Sequence, residues 1–425
     1  MLRLAPAALA LSLVPAAASA QVIWTVDDNG PADFVSVQDA IDAAADGDTI
    51  LVRTGNYGTL VVDGKGLTIQ GEPGAVLSVF LFAAPIIVIR NIAADQAVHL
   101  RGFETSALGV AEQETTVIDA CDGPVLLEDI SYPGSIGGSG EPVEISDCAS
   151  VTLVRCSLIA PATFASYSLF TFFSHVPYRG LIATDSNVFL YDTVVRGSSG
   201  ISAAVDFAIT IPPGTSGAGV VLRDSTLLAS GCTFTGGSGG GDPSGLCYAG
   251  EDGQAGLELL ALPAGPGSTA RLIDCTINGG SGGNGGCGLA DGVDAPDQQV
   301  DALSQVIDLP GSARSFSSVS PAQDGTVLTL SLTGDPGDEV LLHVSEGAVP
   351  GLFLAPFNIA LHMSLPVGVL ALGTVPPGGT LNVPLPIPSL PGLDYFRFVG
   401  QALFLSGTGF HDGGPSTLLV LGGAL

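Results

Sequence analysis

The sequence predicts an all-β protein: a right-handed parallel β-helix with an N-terminal capping helix, followed by a small β-sandwich. Three observations carry this. One apolar pattern recurs down the chain, as Leu127-x-x-Ile130-x-Tyr132, Leu153-x-x-Cys156-x-Leu158, Leu190-x-x-Thr193-x-Val195, Ala229-x-x-Cys232-x-Phe234 and Leu272-x-x-Cys275-x-Ile277. Its middle positions lie 26, 37, 39 and 43 residues apart, as in a solenoid whose coils advance about 4.8 Å each and carry loops of different length. Hydrophobic residues make 46 % of the chain and charged ones only 12 %, with 59 glycines, which fits a core of short strands that bend at glycine. After about Ser312 the repeat stops and Pro-Gly turns separate longer alternating runs, the pattern of an antiparallel sandwich.

Taken in order, the chain opens with Arg3, an apolar stretch over residues 4–14 and the small-residue run Ala16-Ala17-Ala18-Ser19-Ala20. These are the parts of a secretory signal peptide cut before Gln21. The expected units are therefore a signal peptide over 1–20, the β-helix over 21–311 and the sandwich over 312–425. No later apolar run reaches the roughly 18 residues that a spanning helix needs. Secretion or display at the cell surface is the expected location.

Residues 35–45 are amphipathic, with Val37, Ala40, Ile41 and Ala44 at helical spacing and Ser36 as cap three residues before Asp39. An open first coil must have its apolar interior covered, and a short helix across it does so. Thr49-Ile50-Leu51-Val52 then begins the strands. In the repeat, Cys156, Cys232 and Cys275 fall in one column, an inward stack in which thiols act as small hydrophobes. Two coils end alike, in Gly236-Gly237-Ser238-Gly239-Gly240 and Gly279-Gly280-Ser281-Gly282-Gly283, each followed by a cysteine. Loops on adjacent coils lie side by side, so a Cys247–Cys287 disulfide is expected to clip two otherwise floppy loops. In the last part, runs at residues 326–332, 339–344, 365–372, 380–385, 395–404 and 417–421 read as strands, and His411-Asp412-Gly413-Gly414 reads as an exposed turn.

The segment VDDNGPADFVSVQDAIDAAADGDTILVRTGNY looks like the opening of pectinesterase-like and other pectin-lyase-fold proteins, and residues 84–104 are similar to coils of secreted bacterial β-helix proteins. The resemblance covers roughly residues 22–300. It implies the fold, and a polysaccharide lying along the parallel sheets, with reactivity from side chains on successive coils. The C-terminal part more vaguely resembles a β-rich module at the ends of large exported bacterial proteins.

The chemistry has to be argued residue by residue. Polygalacturonase-like sites carry NTD, DD, His-Gly and RIK segments; here Asp27-Asp28 precedes the cap helix, no histidine precedes a glycine, and RIK is absent. Gly55-Asn56-Tyr57 matches the start of the pectinesterase-like GxYxE motif, but Thr59 stands where Glu belongs. A lyase needs a base of depressed pKa, and Lys65 is the one lysine. Asp192 and Arg196 on one coil, with Arg223 and Asp224 on the next, remain as the candidate catalytic patch. GGSGG resembles the start of a calcium-binding nonapeptide roll, which makes Asp242, Glu251 and Asp252 the candidate calcium ligands. Histidines 99, 175, 343, 362 and 411 show no metal-like spacing. The aromatic cluster Phe164, Tyr167, Phe170, Phe172, Phe173 and Tyr178 reads as a satellite core or a sugar-stacking loop.

The formal charge is −29, which repels nucleic acid. The reading is a non-catalytic secreted or cell-surface protein that contacts an extracellular polysaccharide or surface component. The alternative is a polysaccharide lyase or pectinesterase-like enzyme using the four-residue patch.

Overall fold

A computed structural model describes residues 21–80, 85–108, 115–133, 140–161, 177–206, 209–355, 357–363, 368–407 and 409–423. The expected signal peptide, His175 and the aromatic residues from Phe164 to Phe173 lie outside them.

The chain winds as a parallel β-helix with three faces. A ten-stranded long sheet runs from Ile23–Val26 to Gln305–Asp308. A second sheet of eight strands runs from Gly55–Tyr57 to Thr276–Asn278, and a third of eight from Leu60–Asp63 to Gln298–Val300. Each coil visits the long, second and third sheets in turn, and every pairing in the three is parallel. Crossovers between parallel strands take the right hand.

The apolar repeat is the register of this solenoid. Leu127, Leu153, Leu190, Ala229 and Leu272 stand opposite one another along the long sheet. Tyr132, Leu158, Val195, Phe234 and Ile277 do the same along the second. Both rows point into one core, where stacking identical positions removes a continuous apolar column from water. Cys156 and Cys232 are buried in that core and Cys275 packs against it. A second thiol column appears on the third sheet, where Cys121 is opposite Cys148.

The cap helix is Val37–Ala43, with the Ser36 hydroxyl accepting from the Asp39 N–H and Val37, Ala40 and Ile41 buried. Lys65 closes its far end: Nζ donates to the carbonyls of Ile41, Asp42 and Ala44 at 2.9, 3.1 and 3.0 Å. A cation there satisfies carbonyls that the helix leaves open, so the lone lysine is a structural cap.

After the last coil the strands become antiparallel. Ser315–Ser318, Val327–Thr333 and Thr380–Pro386 form a three-stranded sheet. Glu339–Ser345, Gly368–Thr374, Tyr395–Ser406 and Gly409–Leu421 form most of a five-stranded one. The two share a core of Phe316, Leu330, Leu332, Leu342, Phe404 and Leu418. Pro384 and Pro386 fall in an edge strand, where a missing N–H is tolerated. One expectation fails: His411, Asp412, Gly413 and Gly414 are not an exposed turn. They lie inside Gly409–Leu421, paired with the preceding strand across a bulge, and Asp412 is buried.

Candidate functional site

This module lies on the outer face of the long sheet, and polar side chains of the sheet are buried beneath it. Arg101 and Arg155 both pair with Glu128 and Asp129, and Glu128 accepts from the Ser416 hydroxyl at 2.5 Å and the Thr417 N–H at 2.9 Å. Arg101 also donates to the carbonyls of Ser318 and Thr417, and Arg155 to that of Phe316. Two guanidinium groups, with the Ser416 hydroxyl and the Thr417 N–H, are what makes the buried Glu128 carboxylate tolerable.

A second buried cluster was missed in the sequence, because its members are far apart in the chain. The Tyr191 hydroxyl donates to Asp412 Oδ2 at 3.0 Å and lies 3.0 Å from His362 Nε2. With the phenolic proton on Asp412, His362 must donate from Nε2, and its Nδ1 then accepts from the Thr152 hydroxyl at 3.2 Å. Asp412 also accepts from the Ala360 N–H at 2.9 Å. Burial pulls His362 down to about 3 and pushes Asp412 up to about 6. Phe189 sits edge-on to the His362 ring at 4.7 Å. The cluster contains the residue types of acid–base chemistry, but it is buried between module and sheet, where its hydrogen bonds tie the two together.

The four residues of the proposed catalytic patch do not converge. Asp192 sits at the corner between the long and second sheets and Arg196 at the far end of the second-sheet strand Val194–Arg196, exposed on its outer face, whereas Arg223 and Asp224 flank the corner between the third and long sheets. The full width of the long-sheet strands Asn187–Tyr191 and Thr226–Ser230 separates the corners. Asp192 and Asp224 both occupy the left-handed region, at φ 49° and 47°, as tight corner residues do. Asp224 accepts from the Leu262 and Gly267 N–H groups and so shapes a turn. Asp192 alone has the electrostatics of a reactive group: desolvation raises it to about 6, and its Oδ2 is buried without a hydrogen-bond partner.

Nor do Asp242, Glu251 and Asp252 form a calcium site. Among the described residues no group of three His, Cys, Asp or Glu side chains could hold a metal ion. Asp242 Oδ2 accepts from the Tyr248 N–H and Oδ1 from the Leu246 N–H and Ser244 hydroxyl, which holds the carboxyl below its usual range. Asp252 accepts from the Val293 N–H at 2.7 Å.

The glycine-rich loops, expected to be floppy, are instead an ordered lattice. Three successive insertions between the second and third sheets run outward over residues 197–203, 236–242 and 279–285, and return over 214–219, 250–256 and 290–297. Hydrogen bonds between them recur every third residue. Gly197, Gly200 and Ala203 donate to the carbonyls of Thr235, Ser238 and Gly241; Gly236, Gly239 and Asp242 donate to those of Asn278, Ser281 and Asn284. Outgoing and returning segments are linked in the same rhythm, with Gly237 and Gly240 donating to Gly217 and Gly214, and Gly280 and Gly283 to Gln254 and Glu251. Three residues per turn is the period of the polyproline II helix, which has no internal hydrogen bonds and so must find partners in its neighbours. Glycine is required by the spacing: a Cβ on Gly237 would lie 1.8 Å from the Ser198 carbonyl oxygen, and one on Gly280 1.8 Å from that of Gly237. At the final layer, where no further loop follows, Asp297, Asp294 and Asp291 accept from the Gly279, Gly282 and Gly285 N–H groups. These aspartates, also three apart, close the lattice edge.

The lattice holds its tips together. Cys247 and Cys287 form the expected disulfide, and the Tyr248 hydroxyl reaches Thr210 Oγ1 at 3.3 Å on the neighbouring tip hairpin. Pro243, Ser244, Gly288 and Leu289 are exposed there.

No family model matches the chain, and no curated protein does. Among solved structures, the pectate lyase Pel9A aligns over 59 % of this chain and 78 % of its own, at 11 % identity and a TM-score of 0.24. The enzymatically active domain of tailspike protein 2 from bacteriophage CBA120 aligns over 95 % of this chain and 72 % of its own, at 10 % identity and a TM-score of 0.22. The β-helix is shown by the parallel strand order of its three sheets.

Proposed function

We propose that this is a secreted or cell-surface β-helix protein that contacts an extracellular polysaccharide without transforming it. The glycine lattice is the observation that carries this reading. Binding residues are most often set on loops held by a rigid scaffold, and here hydrogen bonds and a disulfide hold three loop tips beside one aromatic ring, Tyr248. An aromatic face packs against the apolar face of a sugar. The long sheet is covered by the module, so the tips and the second and third sheets are the surfaces left for contact. A glycan array probed with wild type and Tyr248→Ala tests the reading: wild type binds a defined set of polysaccharides, and the variant loses at least tenfold in affinity. Absence of wild-type binding across the array sinks it.

The enzyme alternative is favoured by Asp192, whose carboxyl has a raised pKa and an unpartnered oxygen. Incubation with pectins, polygalacturonate, alginate and neutral glucans, with and without calcium, decides that point. Turnover abolished by Asp192→Asn would replace the binding reading with catalysis.

A further inference from the structure

Five cysteines remain outside the disulfide, and four of them stand in two pairs on adjacent coils. Cys121 is directly opposite Cys148 on the third sheet. Cys232 and Cys275 each precede a second-sheet strand, and these strands are in register, Thr233 opposite Thr276 and Phe234 opposite Ile277. Cys275 is therefore stacked on Cys232 one coil further along. The pairs differ in access. Cys121 and Cys148 are both buried in mid-solenoid, whereas Cys275 immediately precedes the last second-sheet strand, which has no further strand beyond it, and it is partly exposed.

We propose that Cys232 and Cys275 form a two-coordinate binding site for Cu(I). Thiolate sulfur is the ligand that selects this soft ion. Zinc needs four ligands, and no third metal-ligating side chain joins the pair among the described residues. The spacing also fits. A metal–thiolate bond is about 2.3 Å, so an ion midway between two sulfurs spans about 4.6 Å, close to the roughly 4.8 Å between neighbouring strands. Cys275 Sγ reaches back onto the coil that carries Cys232, where it meets the Ala229 carbonyl oxygen. The contacts of both thiols are weak ones to carbonyl oxygens, Cys232 to Ser230 at 3.4 Å and Cys275 to Ile273 and Ala229 at 3.4 Å each. Binding forms two S–Cu bonds and breaks two S–H bonds. Both protons go to solvent, the product carries one negative charge, and no electron is transferred.

The test uses the full chain with its disulfide intact. Cu(I) is supplied as its acetonitrile complex under nitrogen, and retention is followed by native mass spectrometry, by ultraviolet thiolate-to-copper absorption and by competition with bicinchoninate. Wild type and Cys121→Ser are expected to keep one ion per chain, and Cys275→Ser to lose at least tenfold in retention. A wild type that yields its copper to bicinchoninate, or a Cys275→Ser chain that retains it equally, overturns the proposal. A second measurement does not depend on the variant folding: iodoacetamide labelling of wild-type Cys275, mapped by peptide mass, is expected to slow at least tenfold when Cu(I) is bound. An unchanged rate overturns it.

Discussion

The Tyr191 hydroxyl, on the long sheet, donates at 3.0 Å to the carboxylate of Asp412, which lies 221 residues further along in the last strand of the module. This contact joins the two parts of the molecule through a buried chain that continues to His362 and Thr152. Removing the hydroxyl with Tyr191→Phe leaves His362 Nε2–H and one Asp412 lone pair unsatisfied in a dry interface. An unmet buried polar group costs about 1–3 kcal/mol. The urea midpoint of the variant should fall accordingly, and an unchanged midpoint would show that the chain does not hold the module.

The pH dependence follows from the buried titratable groups of this interface and of the neighbouring corner. His99 and His362, both buried and both pulled to about 3 by desolvation, remain neutral in the folded protein. The unfolded chain protonates them below about 6.5, so each withdraws stability as pH falls from there toward 3, at about 1.4 kcal/mol per unit. Asp192 and Asp412, both raised to about 6, have the opposite sign. Between about 6 and 4 the folded protein holds their protons and the unfolded chain does not, so they gain stability as pH falls. His99 and His362 nearly cancel against the two aspartates from pH 6 to 4, but His343 and His411, also lowered by burial, add to the histidines' side. The thermal midpoint should therefore fall gently over that range and steeply below it. Asp412→Asn removes one compensating group, and its midpoint should fall more steeply from pH 6 to 4 than that of wild type. Identical slopes in both would refute the assignment.

The lattice makes a clear mutational forecast. Gly237→Ala places a methyl group on the Ser198 carbonyl, whereas a Cβ on Gly58 meets nothing within 4 Å. Forced overpacking costs about 1–3 kcal/mol or more. Gly237→Ala should lower the thermal midpoint and speed amide exchange across residues 236–241, with Gly58→Ala indistinguishable from wild type. Tolerance of both would mean that the segments are not closely packed.

Reduction of Cys247–Cys287 should act at the tips. The bridge spans 40 residues, and closing a loop of that size stabilises by about 4 kcal/mol in the chain-entropy account. Because the segments behind the tips are held by backbone hydrogen bonds, exchange should rise over residues 243–249 and 286–289 and stay protected at 237 and 240. Uniform loss of protection would show that the disulfide maintains the lattice itself.

Glu128 is the carboxylate shared by Arg101 and Arg155. Glu128→Gln leaves two buried guanidinium groups short of a counter-charge, a change worth about 3–5 kcal/mol when one partner of a buried pair is lost. Differential scanning calorimetry should show a lowered or split transition; an unchanged single transition would rule the network out as the clasp.

The sequence by itself determined the solenoid. Apolar period and cap chemistry are local, so the rows through Leu127 and Tyr132, the Cys156–Cys232–Cys275 column and the Ser36-capped helix could be read from neighbouring residues. The disulfide followed from the same repeat, since loops on adjacent coils must be neighbours. The Cys121–Cys148 column went unseen because it lies on a face outside the repeat that was aligned. Only the tertiary structure decided the rest. Glycine runs are compatible with disorder or with a lattice, and the difference lies in whether carbonyl partners some 40 residues away arrive at a three-residue interval. His411 to Asp412 has the composition of a turn, and it became a buried strand because a long-sheet tyrosine and a histidine from another hairpin meet it there. Asp192, Arg196, Arg223 and Asp224 are close in sequence yet lie at two corners and at the far end of a second-sheet strand, because a β-helix separates adjacent segments by the width of a sheet and brings together those one coil apart.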